Sequence, residues 1–222
     1  MAKSIRLAKR VVAESDRLAG ELVERFRKAR VFVANLMGSP GSGKTSLLEE
    51  TARRLGGELR MAVIAGDLAT DRDAQRIRRA GIPSYQINTG GGCHLSARQI
   101  LDALEQFDLA ALDVLFIENV GNLVCPAEFE LGEWAKVAVL SVTEGEDKPL
   151  KYPGAFRGAR VVVVSKMDLV PHLGVDLEAL RRNLRTANPA LETFELSARS
   201  GEGLEGWVEW LVGCHEAWRG AE

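Results

Sequence analysis

Apolar and polar positions along this chain alternate in a strand, helix, strand rhythm. Seven short runs of aliphatic and β-branched residues recur at 31–37, 60–65, 84–87, 113–118, 135–142, 160–165 and 191–196. Several are apolar at nearly every position, as in Val161-Val-Val-Val164, which predicts strands buried in a core rather than half-exposed ones. Helical spacing fills the gaps between them. Leu7, Val11, Leu18, Leu22 and Phe26 predict an amphipathic helix ahead of the first strand, and 47–55 a helix directly after it. A polar helix is expected to start at Thr70 or Asp71 and run past Ile77, with Asp71 and Asp73 serving its N-terminus. Further helices are expected from Ser96 to about Phe107 and from Leu204 to about Val212. The residues from 143 to 153, with two prolines, predict a polar loop in which Lys148 and Lys151 are solvated. The expected fold class is α/β, a mostly parallel central sheet with helices on both faces.

The turn between the first strand and its helix reads Gly38-Ser-Pro-Gly-Ser-Gly-Lys-Thr-Ser46, a full match to G-x-x-x-x-G-K-S/T in its proper strand-to-helix context. This predicts a phosphate-binding loop. Gly38, Gly41 and Gly43 let the backbone N–H groups turn inward with those of Ser39, Ser42 and Ser46, Lys44 reaches the terminal phosphates, and Thr45 offers a hydroxyl to Mg²⁺. Residues 1–30 then form an N-terminal helix and 31–222 a phosphate-loop GTPase domain. Two strands end in acids, Asp67 and Glu118, where ligands collect in such sheets, and both are candidates to hold Mg²⁺ or orient the attacking water. Glu118 opens Glu-Asn-Val-Gly121, whose glycine N–H is placed to sense a γ-phosphate. Lys166-Met-Asp168 follows another strand, with Ser165 where Asn or Thr is usual. Asp168 can accept two hydrogen bonds from guanine N1 and its exocyclic amine, and Ser165 is expected to weaken base affinity. Ser197-Ala198 completes the base site through a backbone amide. No arginine stands where it would act as a finger in cis, so turnover is expected to be slow.

Composition adds mainly exclusions. The 222 residues are 46% apolar and 27% charged, with a net charge of −2, which argues against nucleic acid or an anionic membrane as partner. No apolar run is long enough for a membrane span and the N-terminus has no signal-peptide core, so a cytoplasmic location is expected. Three cysteines are too few for a disulfide framework. Cys93-His94 follows three glycines, and Cys125 lies four residues past Gly121. Two thiols and an imidazole suit Ni²⁺, Zn²⁺ or copper, although spacing alone favours unligated side chains, buried free cysteine being common. If Gly121 moves with the γ-phosphate, Cys125 moves too, which would couple nucleotide to thiol position. Cys214-His215, at the expected end of the last helix, is read as structural.

Gly90-Gly-Gly-Cys-His-Leu95, Glu118-Asn-Val-Gly-Asn-Leu-Val-Cys-Pro126 and Glu144-Gly-Glu-Asp-Lys-Pro-Leu-Lys-Tyr-Pro153 resemble the signature segments of the HypB family, GTPases of the SIMIBI class that assist nickel insertion into [NiFe]-hydrogenase. The resemblance spans nearly the whole chain. It implies a slow GTPase that dimerises with GTP, holds Ni²⁺ or Zn²⁺ at the dimer interface through Cys93 and Cys125 with His94 beside them, and works with the zinc-containing partner HypA before nickel reaches the hydrogenase large subunit. The chain lacks the N-terminal cysteine motif and histidine-rich tract of some members, so nickel storage and tight N-terminal binding are expected to be absent. Three other readings compete. A urease-type nickel GTPase would carry Cys-Pro-His, a small-molecule kinase an arginine-rich lid, and a regulatory GTP switch would use the same ligands for structural zinc.

Overall fold

The apolar runs become the strands of one sheet. In the computed structural model, which describes residues 2–67 and 72–220, the elements follow in order as α1 (Ala2–Ala29), β1 (Phe32–Gly38), α2 (Lys44–Leu55), β2 (Met61–Asp67), α3 (Arg72–Arg79), β3 (Ser84–Asn88), α4 (Ala97–Ala103) and β4 (Val114–Gly121). The second half adds α5 (Cys125–Glu128), β5 (Ala135–Ser141), α6 (Lys148–Lys151), α7 (Pro153–Gly158), β6 (Val161–Ser165), α8 (Leu177–Ala187), β7 (Glu192–Glu195) and α9 (Leu204–Gly220). The seven strands run in the order β3-β2-β4-β1-β5-β6-β7, and every strand pair is parallel. The expected N-cap at Thr70 or Asp71 lies outside the described residues.

Continuous apolar strands follow from burial on both faces. Phe32, Ala34 and Leu36 of β1, with Val161 and Val163 of β6, face α2, α3 and α9, where Leu47, Leu48, Ile77 and Trp207 close the layer. Val33 points the other way, toward Leu18, Leu22 and Phe26 of α1 and Ile100 of α4. On that same face Val162 and Val164 meet Phe156 of α7 and Leu180 and Leu184 of α8. Trp207 donates from Nε1 to Thr51 Oγ1 at 2.9 Å, which ties α9 to α2 and so braces the helix that begins at Lys44. No helix among the described residues is long and apolar enough to cross a membrane.

The structure corrects several expectations. The segment 143–153 is not an open loop. Ser141 and Glu144 form a capping box on one 3₁₀ turn, and Pro149 and Pro153 sit in the first turns of α6 and α7, where proline starts a helix instead of preventing it. Lys148 is accordingly not solvated: it pairs with Glu144 at 3.0 Å and lies over the Tyr152 ring. The helix expected from Ser96 to Phe107 ends at Ala103 and tightens into a 3₁₀ turn at Leu104–Gln106. The last helix runs on to Gly220, because Cys214 and Trp218 continue its apolar stripe onto the core. Cys214-His215 therefore lies within α9, and burial pushes the Cys214 thiol up to about 11. α8 has no counterpart in the expectations above; Asp176 caps it by accepting from Ala179 N.

At the opposite end of the sheet from the Gly38–Ser46 loop, Asp113 fastens the starts of β2 and β4. Its carboxylate accepts from the Arg60 backbone N–H and from the guanidinium at 2.8–2.9 Å, and these bonds hold its pKa down to about 2. Because the folded pKa lies below the ordinary 3.8, the stabilisation is whole above about pH 4 and is lost as pH falls through about 2. Asp113→Asn is expected to cost about 1–2 kcal/mol at pH 7, discounted because the Arg60 side chain is solvent-exposed. Denaturant unfolding should find the gap between variant and wild type closing toward pH 2.

Candidate functional site

β1 is the central strand, flanked by β4 and β5, so the loop leaving it opens at the carboxyl edge of the sheet, where β2 and β4 also end. The loop turns because Gly43 takes φ +102°, a left-handed conformation that an L side chain resists. Two joined cavities flank it, of about 330 and 360 Å³, sharing Gly43, Ser46 and Lys166. The first is lined by Gly41, Lys44, Thr45, Asp67, Glu118 and Gly121, so most of the residues expected to handle phosphate and Mg²⁺ do meet in one place. Gly38, Ser39 and Ser42 line neither cavity and instead build the loop beneath it. A side chain at Gly38 would collide with Ser42 Oγ and the Val139 carbonyl at 2.5 Å, and the Ser39 carbonyl accepts from Lys44 Nζ at 3.4 Å.

Lys44 is buried and donates to the Gly38 carbonyl at 3.1 Å; burial lowers its pKa while Glu118 opposes the shift. Thr45 Oγ1 donates to Glu118 Oε1 at 2.7 Å. Glu118 Oε2 is buried without a hydrogen-bond partner among the described residues, and burial pushes the carboxyl up to about 7 despite Lys44 and Thr45. A hard divalent cation fits this spot, since it would take up the orphaned oxygen together with the Thr45 hydroxyl and favour the ionised carboxylate. Asp67 ends β2 on the same cavity. Gly121 lies in register with Gly38 and against the loop itself, where an added Cβ would stand 2.9 Å from Pro40 Cγ.

The second cavity gathers Ser165, Lys166, Asp168, Ser197 and Ala198. Ser197 Oγ donates to Asp168 Oδ1 at 2.6 Å and accepts from the N–H groups of Arg199 and Ser200, so the two expected base-recognition segments are one unit. Lys166, at φ +62°, reaches the Gly41 carbonyl at 2.6 Å. Ser165 has a role not visible in the sequence: its hydroxyl donates to the Ser42 carbonyl at 2.5 Å and so joins the base side to the loop.

Cys93, His94 and Cys125 come together with all three ligand atoms within 4.8 Å of one another. Cys93 Sγ lies 3.5 Å from His94 Nδ1. The Cys125 thiol beside it raises the Cys93 pKa, and burial lowers that of His94, so the cluster resists gathering either charge by itself. A soft or borderline cation would reverse both penalties, as thiolates and neutral imidazole are the ligating forms. Three protein ligands leave a position open.

Some site residues escaped the sequence. Phe129 stacks on the His94 ring at 4.1 Å and 6°, fixing the imidazole from the segment that follows Cys125. Asp73, expected only to serve its helix terminus, lines the first cavity, as does Arg76, which donates to Ser46 Oγ at 3.1 Å and pairs with Glu49. Arg76 is brought to this cavity by α3, with its guanidinium engaged by Ser46 and Glu49. An Asp and an Arg three residues apart on a polar helix beside the loop were the available signal.

Residues 32–195 match the family described as CobW/HypB/UreG, nucleotide-binding domain. The hydrogenase maturation factor HypB of Azotobacter vinelandii is 52% identical over 209 residues, 94% of this chain and 69% of that protein. That of Escherichia coli K12 is 52% identical over 201 residues, 90% and 69% of the two chains. Among solved structures, HypB of Archaeoglobus fulgidus superposes with a TM-score of 0.86 at 40% identity over 91% of this chain and 99% of its own. HypB of Helicobacter pylori in complex with nickel gives 0.86 at 38%, over 94% and 99%. A LAO/AO transport system kinase, at 20% identity and a TM-score of 0.55 over 92% and 71%, shares the fold. On family match, identity and superposition together, the chain belongs to the HypB branch of the CobW/HypB/UreG nucleotide-binding family.

Proposed function

We propose that this protein is a GTP-hydrolysing metallochaperone, which couples GTP-dependent homodimerisation to nickel binding and delivery during [NiFe]-hydrogenase maturation. The observation that carries the reading is the placement of both sites on one stretch of chain. Glu118 and Gly121 of β4 face the first cavity, and Cys125, four residues on, meets Cys93 and His94. Relatives named as hydrogenase maturation factors, and the relative solved in complex with nickel, favour Ni²⁺ as the cargo over a structural Zn²⁺.

In this reading the triphosphate lies on the Gly38–Ser46 loop, with backbone N–H groups and Lys44 taking its negative charge. Lys44 exchanges the Gly38 and Ser39 carbonyls for phosphate oxygens. Mg²⁺, when held by Thr45 and Glu118 with Asp67, would neutralise charge on the phosphates. Asp67 and Glu118, both on this cavity, orient the attacking water. Asp168, held by Ser197, selects guanine, with Lys166 along the base. Gly121, against Pro40, responds to the γ-phosphate and carries Cys125 with it. Two copies meeting at this face would complete the open coordination position of the cluster. The protein acts in the cytoplasm, receives or passes nickel with a HypA-type partner, and serves the hydrogenase large subunit indirectly.

Phosphate release from GTP and ATP, measured beside nickel titration, tests the proposal. GTP should be strongly preferred and the Cys93→Ala/Cys125→Ala double variant should lose nickel binding. Equal use of ATP, or nickel binding that survives the double change, would overturn it.

A further inference from the structure

The loop bearing Cys93 and His94 is tied to the nucleotide strands at both ends, and two asparagines make the ties on the β4 side, Asn119 at the wall of the first cavity and Asn122 just beyond it. Asn119, directly after Glu118 on β4, is buried to 1% exposure, and its Oδ1 accepts from the backbone N–H of Leu95 and of Val120, both at 3.0 Å. Its Nδ2 donates to Asn35 Oδ1 at 3.2 Å, and Asn35, equally buried on β1, donates to Glu133 Oε1 at 2.9 Å. The amide is thus fixed from behind and cannot turn away from Leu95 without breaking a buried chain of bonds. Three residues along, Asn122 donates from Nδ2 to the Cys93 carbonyl at 3.3 Å and accepts from Val124 N at 3.0 Å. Asn122 also bridges Gly38, the first residue of the nucleotide loop. Cys93 and Leu95, the residues on either side of His94, are therefore both held by the strand that leaves Glu118.

The start of the loop is held from the other acid. Thr89 N donates to the Asp67 carbonyl at 3.0 Å, and the fully buried Leu95 side chain packs on Gly66, where an added Cβ would stand 2.8 Å from it. Any shift of the end of β4 must carry Leu95 and the Cys93 carbonyl along, because a buried N–H such as that of Leu95 is costly to leave without its partner. Connection along the chain from Gly121 to Cys125 moves only one of the two thiols. The asparagines supply the link to the other.

We infer that Asn119 and Asn122 are positioning residues that transmit nucleotide state to the Cys93–His94 side of the metal site, so that this side follows the end of β4 as Cys125 does. The inference rests on the proposed function above. Neither side chain needs to touch metal or nucleotide for this role.

The test is the ratio of nickel Kd with GDP to nickel Kd with a non-hydrolysable GTP analogue, read from the thiolate-to-nickel charge-transfer band of the full chain. Wild type should show at least about a fivefold difference, the lower end of ordinary coupling between sites. Asn119→Ala should shrink the ratio at least twofold toward one and make the band less dependent on the nucleotide, while nickel still binds. Asn122→Ala, at a half-buried side chain, should shrink the ratio and carries the test if Asn119→Ala does not fold. A wild-type ratio in a folded variant of either would overturn the inference alone. A ratio of one in the wild type would overturn the functional reading and this inference with it.

Discussion

A Lys44→Ala protein is expected to hydrolyse GTP more slowly by roughly 10²–10³-fold or more, the loss typical of a donor aimed at charge that develops in the transition state. The side chain is buried and its ammonium already sits against the Gly38 and Ser39 carbonyls, so little reorganisation separates it from phosphate oxygens. Its removal also strips Glu118, a fully enclosed carboxyl, of the largest charge that opposes its protonation. Both effects act on the same step. Nickel binding in the GDP state should be unaffected, since the thiol cluster makes no contact with Lys44. Phosphate release at saturating GTP measures the change, and turnover within tenfold of wild type would show that the loop is not the reacting site.

Cys125→Ala should have the opposite profile. With one of the three ligands gone, nickel affinity is expected to fall by more than about 100-fold, beyond the 10–100-fold typical of an outer-shell group. Cys125 closes the cluster from the α5 side, and Cys93 and His94, adjacent in sequence and exposed or half-buried, hold a cation poorly by themselves. Basal GTP hydrolysis should persist, because Glu118, Thr45 and Lys44 keep their places on the other side of Gly121. Unchanged nickel affinity would remove Cys125 from the site.

Much of this arrangement was legible in the sequence, for physical reasons that differ by element. β1, β5 and β6 could be read because a strand buried on both faces must be apolar at nearly every position, and their short length and β-branched residues favour strand over helix. The Gly38–Ser46 loop could be read because closing a turn around phosphate fixes residue types at fixed spacing. The segment 143–153 reads as a loop because proline breaks a helix interior, whereas Pro149 and Pro153 stand in first turns. α8 gives only a weak signal: Leu177, Leu180 and Leu184 have helical spacing but lie among polar residues. Phe129, Asp73 and Arg76 depend on contacts between elements far apart in the chain. Asn119 and Asn122 lie inside the most distinctive segment of all, yet only the tertiary bonds to Leu95 and Cys93 give them a role.

The central claim is that nucleotide state and metal geometry are one equilibrium. The measurement that addresses it most directly is nickel titration of the purified protein with GDP and with a non-hydrolysable GTP analogue, with molecular mass recorded on the same samples. The account expects nickel affinity or stoichiometry and the fraction of dimer to change together with the nucleotide. Identical nickel binding in both states would contradict it, and would make the cysteines a structural site in a GTP switch that acts through partners.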